Sequence, residues 1–82
     1  QEQQEAYYYN GSVCRDLNDT LRAMENFLKS IEIGETNKHC DSLMLRNAYS
    51  NMEYLFYGVQ DYKNELVYAK KKNINYRKNS ID

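Results

Sequence analysis

A chain of 82 residues with net charge −1 is one small domain near the lower limit for a self-sufficient core, and its balance excludes a nucleic-acid binder working by bulk charge. Nine tyrosines, three glycines and no proline or tryptophan leave few helix breakers, so long helices meet little opposition.

The first helix is predicted over about residues 3–17, with Ala6, Tyr9, Val13, Cys14 and Leu17 as its buried stripe at spacings of three and four. Asn18-Asp19 ends it, and Asp19 is placed to cap the next helix by accepting a free backbone N–H. The second helix runs to about Ile33 on Leu21, Met24, Phe27, Leu28 and Ile31. Gly34 is expected to stop it in a left-handed conformation, with Glu35-Thr36-Asn37 as the turn. The third covers about 38–58, burying Leu43, Leu45, Ala48, Met52, Leu55, Phe56 and Val59. Gln60-Asp61 then repeats the chemistry of Asn18-Asp19. The fourth helix uses Tyr62, Leu66, Val67 and Ala69 and fades through Lys70-Lys71-Lys72, with residues 77–82 frayed. The class is all-α, two stacked antiparallel helix pairs in a single domain, 1–82.

The chain says nearly the same thing twice, 42 residues apart. Residues 6–33 lie over 48–75, pairing Ala6 with Ala48, Tyr7 with Tyr49, Leu17 with Val59, Asp19 with Asp61 and Lys29 with Lys71. A period in this range marks stacked helical repeats, which build surfaces rather than active sites. The repeats fall at about 3–36 and 37–77. Charge is uneven along them. Residues 1–36 carry seven acids and three bases, and residues 61–82 carry three acids and six bases. Solvated helix faces are commonly this uneven.

These residues resemble the tetratricopeptide repeat (TPR), whose spacing is W-x2-L-G-x2-Y…A-x3-F. The first copy reads Tyr7-x2-Asn10-Gly11-x2-Cys14, then Ala23-x3-Phe27. The second reads Tyr49-x2-Met52-Glu53-x2-Phe56, then Glu65-x3-Ala69, so Glu53 and Glu65 stand where the family has small residues and Ala69 where it has a large one. A period of 42 exceeds the family's usual 34 and is similar to the longer repeats of bacterial sensor and regulator proteins. The resemblance implies a right-handed α-solenoid fragment whose first and third helices line a concave groove. That groove would present Glu5, Tyr8, Ser12 and Arg15 from the first copy, and Asn47, Ser50, Tyr54 and Tyr57 from the second. Tyr8, Tyr54 and Tyr57 also fall off the predicted stripes, and exposed tyrosines offer large contact area with few rotamers to freeze. The expected partner is a protein or peptide, with no nucleic acid and no membrane. Some members of the family hold a C-terminal carboxylate with lysine and asparagine side chains. Only Asn51 fits that pattern, since Tyr8 and Ser12 occupy the matching places in the first copy, so tail binding is not expected.

No cofactor or metal is expected, and no enzyme: the chain has no Gly-rich phosphate loop, no spaced ligand set and no nucleophile–base pair. His39-Cys40-Asp41, read on a helix, would point about 100° apart and could not converge on one atom. Parallel first and third helices would set Cys14 level with Phe56, roughly 24 Å from Cys40, too far for a disulfide. Two free thiols are therefore expected, Cys14 in the core and Cys40 near a turn. The sequons Asn10-Gly11-Ser12 and Asn18-Asp19-Thr20 are chance matches among ten asparagines, and a glycan on Asn10 would block packing. The lysine run reads as a solvated face. No apolar run approaches the ~18 residues of a membrane span, and a cytoplasmic setting is slightly favoured. Opening within a helical pattern without methionine, the sequence is expected to be a module of a longer regulatory protein. Its array would continue, or form a homodimer, through a fourth-helix face exposing Tyr62, Leu66 and Tyr76. The alternative is a free-standing secreted helical inhibitor or immunity-type protein closed by Cys14–Cys40.

Overall fold

Two turns of identical chemistry organise the chain into two helical hairpins. The computed structural model describes residues 2–79 and places α1 at Glu2–Asp16, α2 at Thr20–Thr36, α3 at Ser42–Gly58 and α4 at Tyr62–Asn79. Among the described residues every regular element is a helix. α1 pairs with α2 and α3 with α4, and α2 packs on α3 to join the pairs. The fold is all-α, built of two antiparallel helix pairs.

After α1, Asn18 turns left-handed (φ 62°); its N–H donates to the Arg15 carbonyl (3.0 Å), and the Asp19 N–H to the Cys14 carbonyl (2.8 Å). After α3, Gln60 does the same (φ 64°), with Gln60 N–H to Tyr57 (3.0 Å) and Asp61 N–H to Phe56 (2.9 Å). Both are Schellman closures that satisfy the orphan carbonyls of a helix end. Asp19 then caps α2 by accepting the Arg22 N–H (3.3 Å), and Asp61 caps α4 by accepting that of Asn64 (3.3 Å). A left-handed residue with a Cβ costs about 1–2 kcal/mol. Replacing Gln60 by glycine should therefore stabilise the fold by about 0.5–1 kcal/mol after the added chain entropy. A higher urea midpoint at unchanged slope is the readout; a lower one would mean that the Gln60 side chain holds the turn.

The core forms where α2 meets α3. Ala23, Phe27 and Ile31 pack against Leu45, Ala48, Tyr49, Met52 and Leu55, all buried. Two glycines set the spacing. A Cβ on Gly11 would lie 2.9 Å from the Phe27 ring, and one on Gly34 would lie 2.9 Å from Leu45 Cδ1. Gly34 is therefore not the predicted stop. It sits buried within α2, without a positive φ, and the helix runs on to Thr36, where the Asn37 N–H donates to the Ile33 carbonyl (3.1 Å). α3 starts later than predicted, at Ser42, with Asp41 as its cap accepting the Met44 N–H (3.0 Å). Of the fraying predicted for 77–82, residues 77–79 are instead the last turn of α4, which continues through Asn79, and 80–82 lie outside the described residues.

The predicted stripe of α1 is on the wrong side. Ala6, Tyr9, Val13 and Leu17 are exposed, and the helix buries Gln4 and Gly11 instead. The physical reason is Gly11: lacking a side chain, it lets the Phe27 ring rest on the α1 backbone, so the seam carries little apolar signal. Leu21, Leu28, Leu43, Val59, Tyr62, Leu66 and Val67 likewise face outward, whereas Tyr49 and Met44 are buried. In the second pair, Glu53 and Ala69 replace the Gly11–Phe27 contact. Phe56 and Tyr68 stack there instead (5.8 Å, 18°), and Lys72 reaches Glu53 (2.6 Å). One further feature repeats at the same offset: Lys29 lies over the Tyr7 ring (5.4 Å), and Lys71 over that of Tyr49 (5.9 Å).

α1 and α3 run parallel and meet at two points. Gln4 exchanges two bonds with the backbone of Asp41, donating from Nε2 to the carbonyl (3.2 Å) and accepting the N–H at Oε1 (3.1 Å). Further along, Arg15 Nη1 donates to Asn51 Oδ1. These contacts span 37 and 36 residues, so the helices are slipped by five or six residues from the sequence repeat, roughly 8 Å. Cys14 therefore lies level with Asn51 rather than Phe56, and Cys40 is roughly 15 Å further along. Both thiols are free and pack against the edge of the core. The bridge required by the secreted-inhibitor reading is not formed.

Candidate protein-binding face

α3 has one side in the core and one in solvent. Leu43, Asn47, Ser50, Tyr54 and Tyr57 recur at spacings of three and four along the solvent side, opposite Leu45, Ala48 and Met52. Tyr54 is 66% exposed and Tyr57 59%. Met52 and Leu55 on the same turns are buried, which fixes the helix that carries these rings. Tyr57 also meets Tyr62 across the second turn (6.0 Å, 57°). Tyr54 stands between two clefts. One, of ≈ 560 Å³, joins it to Arg15, Asp16, Asn51 and Leu55. The other, of ≈ 350 Å³, joins it to Ser50, Tyr57, Glu53 and Glu65.

The α1 half of the predicted groove is less open. Glu5 is exposed. Tyr8 is half-buried, its ring edge-on to Phe27 (5.7 Å, 64°), so it serves packing as much as any groove. Ser12 Oγ donates back to the Tyr8 carbonyl (3.2 Å), a bond within its own helix. Arg15 is divided between Asn51 and Asp16 (3.2 Å). Neither cleft at Tyr54 is lined by Glu5, Tyr8, Ser12 or Asn47. Asp16, Glu53 and Glu65 do line them and give the face an acidic border. The signal for Glu53 and Glu65 is present in the sequence as the two acids standing where a tight helix crossing would need small residues.

On the opposite side, a polar–aromatic bar joins α2, α3 and α4. The Tyr49 hydroxyl donates to Glu35 Oε2 (2.6 Å), and Lys71 Nζ donates to the same oxygen (2.9 Å). Lys71 also lies over the Tyr68 ring (5.8 Å), which tilts against Tyr49 (6.2 Å, 44°). Partial burial pushes the Glu35 carboxyl up, but the Tyr49 and Lys71 hydrogen bonds and the ammonium charge outweigh it and leave it below its ordinary value. Burial, then the Glu35 hydrogen bond, pushes Tyr49 well up; Tyr68 is also raised, by burial first. The signs follow by linkage. A depressed carboxyl contributes stability above its unfolded pKa and loses it as pH falls through the folded one. Raised tyrosines contribute below their unfolded pKa and lose it as pH rises through the folded one. The urea midpoint should therefore fall toward both acid and strong alkali. Glu35→Gln should flatten the acid limb near the carboxylate range, and an unchanged limb would show that Glu35 does not carry it.

The remaining sequence signals resolve locally. His39, Cys40 and Asp41 lie in the α2–α3 connection and not on a helix, and the Asp41 carboxylate is spent capping α3. Among the described residues no group of three His, Cys, Asp or Glu could hold a metal ion, and no helix is long and apolar enough to cross a membrane. Asn10 is exposed, so a group attached there would not block packing as expected; its neighbour Gly11 is the buried one. Lys71 and Lys72 are not simply solvated, since each reaches a carboxylate on another helix. Comparison with known protein families, curated proteins and solved structures returned no match to this chain.

Proposed function

We propose that this chain is a protein-interaction module of TPR-like build that binds a peptide or a partner protein on the exposed face of α3 and its flank on α1. The reading is carried by Tyr54 and Tyr57, two aromatic rings 66% and 59% exposed on a helix whose other side is core, flanking open clefts. Rings presented from a rigid element lose little freedom on binding and are the side chains that dominate interfaces. Parallel α1 and α3, and the same turn and cap in both hairpins, support the repeat reading. An adaptor role within a larger regulatory protein, with no catalysis of its own, follows as the cellular setting.

A peptide selected from a displayed library against the folded chain supplies the test. Tyr54→Ala with Tyr57→Ala should weaken it by at least about 2 kcal/mol, roughly 30-fold in Kd, with an unchanged circular-dichroism melt. Unchanged affinity, or a library that yields no binder, would sink the reading.

A further inference from the structure

The repeat offset names, within the chain itself, the surfaces that a further hairpin would need. On the α2 side of the α2–α3 seam are Met24, Phe27, Ile31 and Gly34. Their counterparts 42 residues on, along α4, are Leu66, Ala69, Asn73 and Tyr76. A large ring has become a methyl, an aliphatic side chain an amide, and the glycine that admits Leu45 a tyrosine. On the α3 side are Leu45, Ala48, Met52 and Leu55. Their counterparts on α1 are Gln3, Ala6, Asn10 and Val13. Two of the three large apolar contacts, Leu45 and Met52, become amides, whose burial without partners is unfavourable. α4 also turns its side chains back on its own hairpin: Lys72 pairs with Glu53 (2.6 Å), and Arg46 lies over the Tyr76 ring (5.0 Å).

We infer that α1 and α4 are capping helices. Neither outer face accepts another helix in the way that α2 accepts α3, although Val13 on α1, Leu17 just past its end, and Tyr62, Leu66 and Tyr76 on α4 are exposed. The stack is sealed at two hairpins, and the continued array expected through the fourth helix does not form on this surface. Any segment joined to the chain must leave it without stacking. The inference stands apart from the binding reading, because it concerns the outer faces of α1 and α4 and not the tyrosine face of α3.

Sedimentation velocity of the 82-residue chain, from micromolar to millimolar, should show a 9.8 kDa monomer. Association left intact by both Val13→Lys and Leu66→Lys would agree equally, since it would use another face; association abolished by either would overturn the inference. A second measurement removes the concentration limit. Residues 38–79 are duplicated and fused after Asp82, which tethers a third hairpin at high effective concentration. The urea midpoint of the parent unit should not move. A higher midpoint with a steeper transition would show that the third hairpin stacks, and the inference would fall.

Discussion

Replacing Phe27 by alanine is expected to remove most of the stability of this fold. The side chain is fully buried and closes the space between three helices. Its ring covers the bare backbone at Gly11, takes the edge of Tyr8 at 5.7 Å, and belongs to the cluster containing Ala48 and Met52. Truncating a buried phenylalanine costs about 3–5 kcal/mol. A domain of this length holds only about 4–12 kcal/mol in total. Urea unfolding followed by circular dichroism should place the variant at or below marginal stability. A loss under about 1 kcal/mol would mean that the core collapses to fill the space. The converse change shows the same fit from the other side. Gly11→Ala gains about 1 kcal/mol of helix propensity but drives a methyl into the ring. The net result should be a loss of about 1–2 kcal/mol. In a Phe27→Leu background that loss should shrink, because the two positions share one contact.

Gln4→Leu should cost about 2–3 kcal/mol, although it exchanges a polar side chain for an apolar one at a fully buried site. Gln4 holds both backbone groups of Asp41, the residue that caps α3, and its own carbonyl accepts the Ser30 hydroxyl (2.9 Å). Leucine leaves the Asp41 N–H and carbonyl without their partner at the point where α1 meets the start of α3. These two bonds are partly buried, so each unmet backbone group costs toward the lower end of the about 1–3 kcal/mol of a buried one. Gln4→Glu separates the two roles, because a carboxylate can still accept the N–H but cannot donate to the carbonyl. At neutral pH it should cost more than leucine, because the fully buried carboxylate sets a charge against the Asp41 carbonyl, and the loss should shrink in acid as the carboxyl takes up a proton and can donate again. Leucine equal to wild type in urea midpoint would show that water replaces the clamp without loss.

Parts of this arrangement are legible in the sequence, and the reasons are local. Asn18-Asp19 and Gln60-Asp61 announce their turns because left-handed closure and capping are decided by the residues at the turn itself. Tyr54 and Tyr57 are legible because Leu45, Ala48, Met52 and Leu55 mark the opposite side of α3, although Leu43 and Val59, read into the same stripe, lie at the helix ends and face solvent. The face of α1 is not, since its seam is made by a glycine and a glutamine, which carry no apolar periodicity. Tyr8 is read as open for the same reason: its burial depends on how close Gly11 brings α2. Gly34 has two possible uses, a helix stop and a close approach, and only the position of Leu45 decides between them. Lys71 and Glu35 are 36 residues apart, so their pairing depends on α2 and α4 both packing on α3 and leaves no mark in either segment.

α4 differs from its three companions in one respect: among its described residues none is fully buried. Local opening follows the amount of apolar surface that an element hides, so the four helices should not come undone together. Backbone amides of α2 and α3 should exchange with solvent only through global unfolding, and those of α4 through a smaller opening of far lower free energy. That opening would break the Glu35–Lys71 and Glu53–Lys72 pairs and bare Tyr49, Phe56 and Tyr68 while the first hairpin and α3 stay folded. The protein would then exist, for a small fraction of the time, as a three-helix form with a second aromatic surface.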